Sequence, residues 1–141
     1  MAKETTAVQE IEAFLTGWTG EHQPMRDWFR RFYQELSSIE GVSLNFVARP
    51  GVSYSLRPVD QHQKERDMFA IIDVIDDDPA ERWLSVCFYE EMITDPNNRG
   101  ELVPGGLAGS DGYCFDMYDD DAELGRDLLE RLKEAGAAAA G

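Results

Sequence analysis

A chain of 141 residues, 43% apolar and 11% aromatic, has the size of one domain and enough apolar content to bury a core of its own. Its formal charge is −15, with three Lys against ten Arg. A field of that sign repels the phosphates of DNA and RNA and the surface of anionic membranes, which leaves small molecules, cationic proteins and divalent metal ions as the expected partners.

The charge is unevenly spread. From Asp67 to Glu123 sixteen acids stand against two bases, Arg82 and Arg99, a net −14, whereas Arg26 to Arg66 holds seven bases against five acids, a net +2. No apolar run approaches the length of a membrane span, and Met1-Ala2-Lys3-Glu4-Thr5-Thr6 lacks the charged-then-apolar pattern of a secretory signal. Cys87 and Cys114 are too few for a disulfide scaffold. Both lie in apolar strand-like runs, which predicts buried reduced thiols and a cytoplasmic location.

Val8, Ile11, Leu15 and Trp18 recur at helical spacing, so a first helix is predicted over 6–18, with Thr6 and Gln9 as a capping box and Gly17 and Gly20 as its stop. Pro24 suits the first position of a second helix. Met25, Trp28, Phe29, Phe32, Leu36 and Ile39 draw its apolar stripe, and Gly41 ends it. Past Gly41 the period switches from 3.6 to 2. Val42, Leu44 and Phe46, then Val52, Tyr54 and Leu56, alternate with polar residues around Arg49-Pro50-Gly51, a β-hairpin with one buried face. A polar connector over 58–67 leads to strands over 69–75 and 83–89, separated by Asp76-Asp77-Asp78-Pro79. Residues 90–112, rich in Gly, Pro and Asn, read as one long functional or mobile loop. A last strand is predicted over 113–118. A closing helix follows over 122–135, capped by Asp119, Asp120 or Asp121 and facing Leu124, Leu128, Leu129 and Leu132 inward, and 137–141 read as a disordered tail. The predicted fold is therefore a single α+β domain over 1–136. It has an antiparallel sheet of about five strands, with two N-terminal helices and one C-terminal helix packed on one face.

Catalytic signatures are sparse. His22 stands at a helix start and His62 in the polar connector, neither in a nucleophile-elbow or Cys–His setting, and two Cys with two His do not make a zinc site. Asp95-Pro96-Asn97-Asn98-Arg99-Gly100 opens like a calcium loop, but the twelfth position is Gly106 and Arg99 replaces a ligand. The glycine-rich stretch 105–112 lacks a Walker lysine and precedes a strand rather than a helix, so it is a turn-shaped loop rather than a phosphate cradle.

Two features remain. Asp73 sits in mid-strand, where a carboxylate must be paired, protonated or facing a cavity, and Arg57 is its expected cross-strand partner. Asp116, flanked by Phe115 and Met117, has the same ambiguity. Arg49, Arg57, Lys64 and Arg66, with His62, form the one local basic cluster, suited to an anionic ligand, to the molecule's own acidic half, or to a second copy in a homodimer. The candidate ligand-binding set is accordingly Arg49, Tyr54, Arg57, Asp73 and Tyr89. The candidate hard-cation set is Glu90, Glu91 and Asp95.

Two N-terminal helices, a hairpin, the strand Leu84-Ser85-Val86-Cys87-Phe88-Tyr89, Asp95-Pro96, a glycine-rich link with Leu102 and Gly105-Gly106, and a closing helix ending at Ala135 together resemble the YdhG-like bacterial domains. That family's Trp-x-x-Pro-x-Tyr-like opening motif is missing, with Pro50 and Tyr54 its nearest counterparts. The resemblance implies a small bacterial cytosolic domain, and one branch of the family handles iron in a frataxin-like manner through surface carboxylates. It transfers no ligand residue to this chain and names no cofactor. Three functions are thus in play: a non-catalytic ligand- or protein-binding module, an iron-handling acidic protein, and a small enzyme working through Asp73 near Tyr89.

Overall fold

The computed structural model describes residues 2–20 and 23–141, with side chains from Thr6 onward. The first helix, α1 (Ala2–Gly17), begins before Thr6, so that residue lies within the helix and is not its cap. The second, α2 (Gln23–Ser37), carries Pro24 in its first turn, where a missing N–H leaves nothing unpaired. His22, expected at the helix start, lies outside the described residues. The hairpin follows as β1 (Val42–Arg49) and β2 (Ser53–Asp60), paired from Val42↔Asp60 to Arg49↔Ser53. Next come β3 (Ala70–Ile75) and β4 (Trp83–Phe88), a one-turn 3-10 helix (Glu90–Met92), β5 (Glu101–Leu107), β6 (Ser110–Met117) and α3 (Ala122–Ala140).

The six strands form one antiparallel sheet in the order β1-β2-β3-β4-β6-β5. The strand that composition hides is β5. Its sequence, Glu-Leu-Val-Pro-Gly-Gly-Leu, contains a proline and two glycines, and it takes up 101–107 of the long loop expected over 90–112. It is tolerated because β5 is an edge strand whose register with β6 is interrupted between Val103 and Leu107, where a missing donor costs no ladder bond. The tail also differs from expectation. α3 continues through Ala140, so 137–140 are helical rather than frayed.

All three helices cover one face of the sheet. Ile11 and Leu15 from α1, Phe29, Phe32 and Leu36 from α2, and Leu128 and Leu132 from α3 share a core with Leu44, Leu56, Ile72, Val86 and Phe115. The strand residues of that core have one parity, as period-2 burial requires. The residues between them, of opposite parity, point to the other face.

That other face carries a smaller cluster of Met68, Ile71, Cys87, Tyr89, Leu107 and Cys114. Here the expectation of reduced thiols is overturned. Cys87 and Cys114 stand opposite each other on β4 and β6 and are joined as a disulfide. The two runs look independent in sequence; only the β4–β6 register places their sulfur atoms side by side. Reduced thiols therefore no longer argue for a cytoplasmic location.

Candidate functional site

The helix-free face and the adjoining β1 edge, where α1 borders the sheet, supply the site. One row of residues crosses it in register, Val47 on β1, Ser55 on β2, Asp73 on β3, Ser85 on β4 and Asp116 on β6. Period-2 geometry puts Arg49 and Arg57, two residues from Val47 and Ser55, on the same face. Arg57 Nε donates to the Ser55 hydroxyl at 3.0 Å. Asp73 Oδ1 is buried and has no hydrogen-bond partner among the described residues. Burial pushes the Asp73 carboxyl above its ordinary value, while the Ser55 hydroxyl and the Arg57 and Arg49 guanidiniums oppose the rise without cancelling it.

Asp73 therefore costs stability at neutral pH. A carboxyl whose folded-state pKa is raised carries its full penalty above that pKa, and the penalty fades as pH falls towards the unfolded value. Asp73→Asn is expected to raise the denaturant midpoint at pH 7, with the gain over wild type shrinking as pH is lowered towards 4 in paired urea titrations. A less stable Asn variant at pH 7 would mean that the charge is compensated.

At the β1–β2 end of the sheet lies a hollow of about 820 Å³, walled by Thr6, Ala7 and Glu10 of α1, Asn45, Phe46 and Val47 of β1, Arg57 and Val59 of β2, and Gln63, Lys64, Arg66, Asp67 and Met68 of the connector. The connector holds its shape through Gln63. Its Oε1 accepts from the Asp60 amide at 2.9 Å, and its Nε2 donates to the Met68 carbonyl at 2.9 Å. Lys64 and Arg66 are thereby presented to the hollow beside Arg57. Arg66 is already engaged, paired with Glu91 and seated 3.7 Å from the Tyr89 ring centroid. Arg49, Arg57 and Lys64 make no ion pair among the described residues.

The sequence-derived ligand set is thus divided. Arg49, Arg57 and Asp73 do share a face. Tyr54 does not: it lies on the helix side, stacked on Phe14 with centroids 4.2 Å apart. Tyr89 belongs to the small cluster beside the disulfide, under Arg66. The acids of the cation set are occupied individually. Glu91 is held below its ordinary value by a backbone amide and by Arg66. Asp95 accepts from the Arg99 and Gly100 amides and from the Tyr113 hydroxyl at 2.7 Å. Burial raises its pKa, yet these donors and Arg131 more than reverse that, holding it low. Glu90 opens the 3-10 helix. Among the described residues no three His, Cys, Asp or Glu side chains gather as a metal site.

Asn45 escaped the sequence reading, and the signal that could have found it is its cross-strand pairing with Arg57, recoverable once the hairpin register is set by the Pro50-Gly51 turn. No helix among the described residues is long and apolar enough to cross a membrane. No family model, curated protein or solved structure matches the chain.

Proposed function

We propose that the protein is a non-catalytic binding module that takes a small anionic ligand, a carboxylate or phosphate compound, in the hollow between β1, β2 and the connector. One observation carries this reading: in a molecule of charge −15, Arg57 and Lys64 line one hollow without an ion pair among the described residues, although Glu10 and Asp67 line it too. Cations without an ion-pair partner draw anions locally, while the surrounding acids repel non-specific ones. Asn45 and Gln63 add neutral polar groups, and Val59 and Met68 provide apolar wall, the mixture typical of ligand hollows. Asp73, beyond Arg57, sharpens selection by disfavouring ligands whose negative charge extends over the β3 row.

The test is an amide NMR titration with inorganic phosphate and with citrate, using sodium chloride at matched ionic strength as control. Saturable shifts at Asn45, Val47, Arg57 and Lys64 are expected. Arg57→Gln should weaken binding by about tenfold or more, since a hydrogen bond to a charged group is worth roughly 1.5–3 kcal/mol. Shifts that chloride reproduces, or that Arg57→Gln leaves intact, would discard this reading.

A further inference from the structure

Beside the hollow, Asp60 and His62 form a pair that anion binding does not use. Asp60 is only 1% exposed at the end of β2, and its Oδ2 has no partner among the described residues. Its Oδ1 accepts from the His62 backbone amide at 2.8 Å and contacts His62 Nδ1 at 2.8 Å. A carboxylate can only accept, so in the neutral imidazole this contact places the ring proton on Nδ1 and leaves the lone pair on Nε2. The imidazole is 60% exposed, at the rim of a depression of about 460 Å³ that also includes Lys64 and Arg66. A buried carboxylate behind the ring, a lone pair in front, and the Lys64 ammonium alongside are the parts of a nucleophile suited to an anionic electrophile.

We propose that His62 Nε2 is a phosphoryl-acceptor site, served by phosphoryl donors with a nitrogen leaving group. In the step with phosphoramidate, the Nε2 lone pair forms the new N–P bond as the donor's P–N bond breaks, and that electron pair leaves with ammonia. The ring keeps its Nδ1 proton and gains one positive charge, which faces the Asp60 carboxylate. Lys64, which makes no ion pair among the described residues, offsets the charge of the transferred group. Asp60 is a positioning residue: it fixes the tautomer and stabilises the cationic product ring.

The chain contains its own reference, His22, the second of its two histidines. The full chain is incubated with phosphoramidate, and acid-labile adducts of one phosphoryl group are located by intact and fragment mass spectrometry. In the folded chain His62 is expected to react about tenfold faster than His22 and to lose that lead in 8 M urea, where folding orients neither ring. Asp60→Asn should cut the lead, and in long-range ¹H–¹⁵N ring spectra its His62 should change from the single Nδ1–H tautomer to a mixture. Lys64→Gln should slow the reaction with the tautomer unchanged. Labelling of His62 no faster than His22, or a lead that survives urea, overturns the proposal. A His62 tautomer unaltered by Asp60→Asn in a folded variant removes Asp60 from it.

Discussion

Replacing Asp76 by alanine should lower the unfolding free energy by about 3–5 kcal/mol, the loss expected when a buried ion pair is deprived of one partner. The Asp76 side chain is 4% exposed and that of Arg82 14%. Asp76 Oδ1 accepts from Arg82 Nε at 2.7 Å, and its Oδ2 accepts from the Gly51 amide at 2.8 Å. Gly51 sits in the β1–β2 turn with φ +83°, so one carboxylate ties the hairpin tip to the end of β3. Arg82 carries the tie to α1, its guanidinium 5.3 Å from the Phe14 centroid, 5.0 Å from Trp18 and 5.5 Å from Tyr54. Alanine would strand that guanidinium among aromatic rings and leave the Gly51 donor unpaired. Urea unfolding at pH 7 measures the loss, with Asp77→Ala, an exposed neighbour, expected to stay within about 0.5 kcal/mol of wild type. The double variant Asp76→Ala/Arg82→Met should recover part of it, because the orphaned charge is gone. A loss below about 1 kcal/mol for Asp76→Ala would show that water reaches the pair.

Gly125→Val should destabilise the fold by about 3 kcal/mol, the upper end of ordinary overpacking costs. A Cβ built at Gly125 would overlap the Trp28 ring, so the glycine is what lets α3 approach α2. The ring has little room to yield. Trp28 is 6% exposed, its Nε1 donates to Asp120 at 2.9 Å, and Arg31 lies 4.4 Å from its centroid. Alanine at 125 would gain about 1 kcal/mol of helix propensity, yet still place its Cβ against the indole. Thermal and urea unfolding of Gly125→Val, alone and with Trp28→Leu, separates the effects. The tryptophan replacement should cost less in the valine background than in wild type, because the two groups compete for one space. Additive losses would locate the damage elsewhere.

Local chemistry made much of this architecture legible. The amphipathic stripe from Met25 to Leu36, the alternation from Val42 to Leu56 around Pro50-Gly51, and the leucines of α3 are written at periods of 3.6 and 2, and each became the element its period dictates. With helices at both ends and strands between, the α+β class followed, as did a sheet covered by helices on one side. The edge strand β5 was not legible, since proline and glycine break the alternation that marks a strand and an edge position tolerates both.

For the candidate site, the basic cluster itself could be read from sequence. Which of its members share a hollow could not, because Arg57 reaches it through strand register and Lys64 through a connector braced by Gln63. The same limit hid the Cys87–Cys114 bond, the buried role of Asp76 within an acidic run that looks solvated, and the Asp60–His62 pair. By itself the sequence determined the charge, the helical stripes and the hairpin, because those depend on neighbours within a turn or two of the chain. Only the tertiary structure decided which charges are paired and which are left to meet a ligand, because pairing depends on residues brought together from distant strands, and burial sets how much each pair is worth.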